Sequence, residues 1–93
     1  MQSSISLVVN TERAETLALR TEEALETNQL SAEKLARQLV DMMKILHGPY
    51  HMEVGVAQFY LAMALEEQGK EREALEVRKR ARRIFLGLGC WRN

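Results

Sequence analysis

The chain has 93 residues, and its 13 Lys and Arg are balanced by 13 Asp and Glu. This length allows one small domain, and the zero net charge gives no bulk electrostatic attraction for nucleic acid. A single cysteine, Cys90, excludes an internal disulfide, and no apolar run approaches the roughly 18–20 residues of a membrane span, so we predict a soluble cytosolic protein, with a nuclear location as the alternative.

Residues 1–10 precede the helical region. They are small and polar apart from a short apolar stretch at 5–9, and they lack the basic leader of a signal peptide. We predict a flexible lead-in, with an apolar strip that packs on a neighbour as the alternative.

Two amphipathic helices are predicted next. Asn10 or Thr11 caps the first helix, and the turn-favouring segment 27–29 ends it. Its inward positions recur every three or four residues: Ala14, Leu17, Thr21, Ala24 and Leu25. Ser31 is predicted to cap the second helix, and Gly48-Pro49 to stop it with a left-handed C-cap. Its apolar stripe is Leu35, Leu39, Met42, Met43 and Leu46, widened by Val40 and Ile45.

The third and fourth helices are the clearest pair. The third runs from His51 or Met52 to Gln68, and as the most apolar element it should be central. One of its stripes is Val54, Ala57, Leu61, Ala64 and Leu65, and the second is Val56, Phe59, Tyr60 and Met63. The fourth spans about Glu71 to Leu86, with acidic residues early and basic residues late, as the helix dipole favours. Its inward positions are Ala74, Val77, Ala81, Ile84 and Phe85.

A weak internal repeat is visible when the chain is displaced by forty residues. Ala24-Leu25-Glu26 then falls on Ala64-Leu65-Glu66, and Glu33 falls on Glu73. A period near forty with two helices per period is typical of helical solenoids. We therefore predict an all-α fold of about four helices in antiparallel pairs.

The second pair resembles the tetratricopeptide-repeat family in its spacing of Leu61-Ala62, Gln68-Gly69, Ala74 and Ala81. The preceding segment 46–51, with its Gly-Pro-x-His sequence, resembles the long-repeat variety in kinesin light chains. The region is also similar to the helical C-terminal part of SET-and-MYND proteins. Arg78 departs from the family pattern, which usually has an aromatic there. The chain is thus divided into a lead-in (1–10), a degenerate repeat (11–47), a TPR-like repeat (48–89) and a tail (90–93).

The resemblance implies that the first helix of each pair lines a surface that binds peptides or partner helices. By this correspondence Val56, Phe59 and Met63 would face that groove, with Glu66 at its edge. An apolar lining suits a hydrophobic peptide or an amphipathic helix. The alternative is that these residues are internal core.

No acidic residue follows Glu76, and the fourth helix carries a basic run. The run consists of Arg78, Lys79, Arg80, Arg82 and Arg83. It is typical of a nuclear-localisation or phosphate-contacting segment, but Ala81 in its middle lies on the inward stripe, so we favour a solvated helix face.

No catalytic constellation is found. His47 and His51 have a zinc-compatible spacing, but Gly48-Pro49 separates them, and we favour loop packing or capping over a metal site. Cys90 has no activating neighbour in sequence, and Trp91 is interpreted as a cover for the end of the stack or as frayed.

We predict a non-enzymatic module without cofactor or metal, which binds a protein or peptide partner and forms a homodimer or part of a larger assembly. Two alternatives come from other functional classes. One is a helical lobe, or truncated isoform, of a SET-and-MYND lysine methyltransferase. The other is a nuclear or nucleic-acid-associated protein that uses the basic run.

Overall fold

The computed structural model describes residues 10–87. Within that range the chain forms four α-helices and no strand. The helices are α1 (Thr11–Thr27), α2 (Gln29–His47), α3 (Met52–Glu67) and α4 (Glu71–Phe85). The predicted all-α class with four helices is confirmed. The lead-in 1–9 and the tail, with Cys90 and Trp91, lie outside the described residues.

Two asparagines begin the first two helices. The Oδ1 of Asn10 accepts the backbone N–H of Arg13 at 2.8 Å, and the Oδ1 of Asn28 accepts that of Ser31 at 3.1 Å. The predicted cap at Ser31 is therefore wrong. Asn28 precedes Ser31 and supplies the side-chain acceptor, so Ser31 contributes only its backbone donor within the first turn.

The turn between α2 and α3 depends on Gly48. Its φ is +93° and its ψ is 157°, so the residue has the predicted positive φ but lies outside the left-handed helical region proper. Glycine adopts this conformation without steric cost because it has no Cβ. Three residues later, the Nδ1 of His51 accepts the backbone N–H of Glu53 at 3.0 Å and caps α3.

Consecutive helices pack against each other across short turns, and α1 also contacts α3. The position of α3 is therefore central, as its apolar sequence predicts, and its predicted first stripe is buried throughout. Val54 and Ala57 pack in one cluster with side chains of α1 and α2, while Leu61 and Leu65 pack in another with α2 and α4.

Two predicted inward positions are wrong. Phe85 lies at the C-terminal end of α4 and is 43% exposed. Ile45 was expected to widen the apolar stripe of α2, but it is 70% exposed. The neighbours of α2 are α1 and α3, and they cover the side that carries Leu39, Val40 and Met43. The opposite side, with Ile45, faces solvent.

A polar cluster ties α2 to the α3–α4 turn. The half-buried carboxylate of Glu33 accepts hydrogen bonds from Arg37 at 2.8 Å, from the Gln68 amide at 2.8 Å and from the Lys70 ammonium at 3.2 Å. Arg37 also donates to Glu73 at 2.6 Å, so it joins the two glutamates that coincide in the forty-residue repeat. The bond from Gln68, and then those from Arg37 and Lys70, lower the pKa of Glu33 to about 2 despite its partial burial.

Candidate protein-binding face

The predicted groove residues lie on the outer face of α3, which we define as Val56, Phe59, Met63 and Glu66. Val56 is half-buried, Phe59 is 39% exposed and Met63 is 37% exposed, while Glu66 is exposed. The buried residues of α3 lie on its other side, toward α1, α2 and α4. Residues 10–87 therefore leave an apolar surface open on the most apolar helix of the chain.

Arg78 of α4 borders this face. Its guanidinium donates to the Glu66 carboxylate at 2.6 Å, and its Cζ lies 4.9 Å from the centre of the Phe59 ring. A guanidinium above an aromatic face gains electrostatic attraction, and the carboxylate fixes its position. Where the tetratricopeptide pattern usually has an aromatic, this chain thus holds an aromatic of α3 under a cation.

The outer face continues along the seam between α3 and α4. Gly55 is buried against α4, where a Cβ would lie 2.8 Å from a ring carbon of Phe85. Leu75 lies beside Glu66 and Arg78 around a shared cavity of about 370 Å³. Because Leu75 and Phe85 are both partly exposed, this seam extends the apolar surface in both directions from Phe59.

The other border of the outer face is acidic. The Tyr60 hydroxyl donates to the carboxylate of Glu22 and so links α3 to α1. The pKa of Tyr60 is raised to about 12, mainly because the phenol is partly buried. The hydrogen bond to Glu22 and the negative charges of Glu22 and Glu53 also raise this pKa. Two carboxylates therefore lie on the α1 side of Val56 and Met63.

This shift predicts a pH dependence at the alkaline end. A phenol whose pKa is raised on folding stabilises the native state fully below about pH 10, and the contribution is lost as the pH rises through about 12. We expect the wild-type free energy of unfolding to fall over this range relative to that of Tyr60→Phe. Urea unfolding of both proteins across the range measures the difference, and parallel curves would contradict the prediction.

The two ends of the stack differ in chemistry. The groove between α1 and α2 is a cavity of about 430 Å³ in which polar side chains stand beside Leu17 and Met42. Its lining includes Glu12, Arg13, Thr16, Arg20 and Gln38. Terminal repeats of solenoids carry polar outer faces. The seam between α3 and α4 instead exposes Leu75 and Phe85 beside the Glu66–Arg78 ion pair.

The basic run does not form a single patch. Ala81 is fully buried, as predicted, so the cations are distributed around a helix. Arg78 points to the outer face, Lys79 lies 3.8 Å from Glu76, and Arg80 and Arg83 line a separate cavity beside α2. The expected uniform solvated face is thus divided into parts with different neighbours.

The two histidines contact each other across the α2–α3 turn. Their rings stack with centroids 4.3 Å apart, and His51 also caps α3, so the predicted packing and capping role is confirmed. Among residues 10–87 no three metal-ligating side chains come together. Within the same range no helix has both the length and the apolarity to cross a membrane.

Sequence reasoning missed Gln58, a polar residue on the inner side of α3. It is 7% exposed, and its Oε1 is buried without a hydrogen-bond partner among the described residues. Gln58 lies four residues after Val54 and three before Leu61, so helical spacing places it on the predicted inward stripe. This spacing could have predicted its burial. Comparisons with known protein families, curated proteins and solved structures found no match.

Proposed function

We propose that this chain is a non-catalytic protein-interaction module that docks an amphipathic helix of a partner protein on the outer face of α3. The observation that carries the proposal is the exposure of Phe59 and Met63 on the most apolar helix of the fold. Large apolar side chains in a continuous exposed surface with a polar border are typical of interaction sites.

The borders of the outer face indicate the chemistry of the partner. Glu22 and Glu53 lie on the α1 side, and Glu66 on the α4 side is neutralised by Arg78. A helix with apolar residues at spacings of three and four would bury them against Phe59 and Met63. Lys or Arg on the flank nearer α1 would complement Glu22 and Glu53, which favours a basic amphipathic helix.

The tetratricopeptide resemblance, on which the groove residues were first selected, implies small residues where the two helices of the second pair meet. Ala62, Ala74 and Ala81 are buried, so the small residues of the pattern lie where α3 and α4 approach closely. Gly69 has a φ of +82° in the turn between these helices. In such a solenoid a third helix pair would pack on the α3–α4 seam. The partner helix would cover part of the same seam, next to Phe59.

Replacing Phe59 and Met63 tests the proposal. We expect Phe59→Gln/Met63→Gln to lose at least about tenfold in partner affinity, because two central apolar anchors are removed while the charge is unchanged. A photo-crosslinking residue introduced at position 56 captures the partner from lysate, and mass spectrometry identifies the linked peptide. The proposal requires a basic amphipathic segment whose capture depends on Phe59 and Met63.

A matched control replaces two apolar residues that are exposed elsewhere. Leu19→Gln/Ile45→Gln removes similar apolar area from α1 and α2 and should leave capture unchanged. Equal loss in both double variants would contradict the proposal, since it would indicate general surface adhesion. If cross-links form only to a second copy of this chain, the outer face serves self-association and the proposed partner helix is contradicted.

A further inference from the structure

A cationic groove lies on a different side of α3 from the outer face. Two adjoining cavities, of about 280 and 260 Å³, share Lys44 of α2, Gln58 of α3 and Arg80 of α4 as lining residues. The smaller cavity, nearer the α2–α3 turn, is also lined by Tyr50, Arg83 and Ile84. We call this smaller cavity the cationic groove.

The cationic groove has no acidic residue in its lining. Lys44, Arg80 and Arg83 all line it, while Asp41 lines the adjoining cavity. The ion pairs formed within residues 10–87 use other cations, so none of these three has a carboxylate within 4 Å there. Three cations that converge on one concave surface raise the local concentration of anions, although the chain as a whole is neutral.

Gln58 places a side-chain amide at the junction of the two cavities. Its side chain is more than nine-tenths buried, and its Oε1 has no partner among the described residues. Buried side-chain amides in folded proteins are nearly always hydrogen-bonded, so an unpaired one calls for an explanation. The enclosed Oε1 is an acceptor and does not pair with a phosphate, whose oxygens also accept, but the two N–H groups of the same amide are donors that a phosphate could use.

We propose that the cationic groove binds a phosphate monoester. Arg80, Arg83 and Lys44 pair with the phosphoryl oxygens, and the Gln58 amide donates a hydrogen bond from the floor. Three cations are better matched by a phosphate dianion than by a carboxylate, which carries one negative charge. Guanidinium groups also have the geometry to donate two hydrogen bonds to phosphoryl oxygens. The Tyr50 ring and the Ile84 side chain provide an apolar wall for the esterified group, which inorganic phosphate lacks.

Backbone amide NMR of the whole chain tests the proposal in about 0.15 M salt, where nonspecific attraction is screened. The probes are N-acetyl-O-phosphotyrosine amide and adenosine monophosphate, with inorganic phosphate and sulfate for comparison. We expect saturable shifts of the backbone amides of residues 48, 50, 51 and 80–84 with the monoesters. Binding of the amino-acid ester alone indicates a phosphorylated protein as the source, and binding of the nucleotide alone indicates a free metabolite.

Charge-matched variants of α4 separate the groove from general attraction. Arg80→Gln/Arg83→Gln should weaken monoester binding at least about tenfold, since two of the three charged contacts are removed. Arg72→Gln/Arg82→Gln also removes two charges from the same helix but from outside the groove, and it should change binding by no more than about twofold. Equal weakening in both variants would overturn the proposal.

Replacing Gln58 gives the second test. Gln58→Leu has similar volume and removes an unpaired polar atom, so the variant should remain folded and as stable as wild type. It should nevertheless bind the monoesters about tenfold more weakly. Unchanged affinity in Gln58→Leu, the absence of saturable shifts with every probe, or equal affinity for sulfate and the monoesters would each overturn the proposal.

Discussion

Truncating Leu65 is expected to destabilise the fold by about 3 kcal/mol. Leu65 is 0% exposed and lies where α3 meets both α2 and α4, in the cluster with Leu61 and Val77. Leu65→Ala loses the transfer free energy of the removed methyl groups and leaves a cavity that fixed helices cannot close. Small domains are stable by only about 5–15 kcal/mol, so urea unfolding should show a large drop in the transition midpoint.

Leu75 provides the control for Leu65. It is the same residue type on the next helix, but it is 52% exposed, so Leu75→Ala should cost less than about 1 kcal/mol. Similar losses in the two variants would contradict the packing of α3 between α2 and α4.

Removing the charge of Glu33 is the second large effect expected. The carboxylate joins α2 to the α3–α4 turn through Gln68 and Lys70 and also accepts from Arg37 of its own helix, and its pKa is lowered to about 2. A shift of this size corresponds to about 3 kcal/mol, which we reduce to about 2 kcal/mol because Arg37 and Lys70 are partly exposed to solvent. Glu33→Gln should lose this amount at neutral pH.

The pH dependence distinguishes this ionic contribution from lost packing. A carboxylate with a lowered folded pKa stabilises the native state fully above its unfolded value of 4.5, and this is lost as the pH falls through about 2. The unfolding free energies of wild type and Glu33→Gln should therefore converge over that range. Glu76→Gln, which alters an exposed pair with Lys79, should change stability by less than about 0.5 kcal/mol. A constant difference between wild type and Glu33→Gln at all pH values would contradict the assignment.

The helices were predictable because their signals are local. Apolar spacing indicated all four, and the burial of Val54, Ala57, Leu61, Ala64 and Leu65 follows from a single stripe on α3. The cap of α2 was misplaced because Asn28 and Ser31 are both good capping residues. Only the structure shows that the Asn28 side chain accepts the backbone N–H of Ser31.

The candidate site was only partly predictable, because it depends on how helices are placed relative to one another. Phe59, Met63 and Glu66 share a face by helical periodicity, so they were selected from the sequence. Arg78 was assigned to a solvated run, but the packing of α4 on α3 brings it to Glu66 and Phe59. Ile45 shows the opposite case, in which an apolar position has no neighbour on its side of α2.

We propose that the outer face of α3 is free to bind a partner and is not internal core. Circular dichroism and urea unfolding of Phe59→Gln/Met63→Gln test it most directly, with Leu65→Ala as the core reference. Because both side chains are more than a third exposed, we expect wild-type helicity and a loss of less than about 1.5 kcal/mol. Loss of helicity, or a destabilisation as large as that of Leu65→Ala, would contradict it.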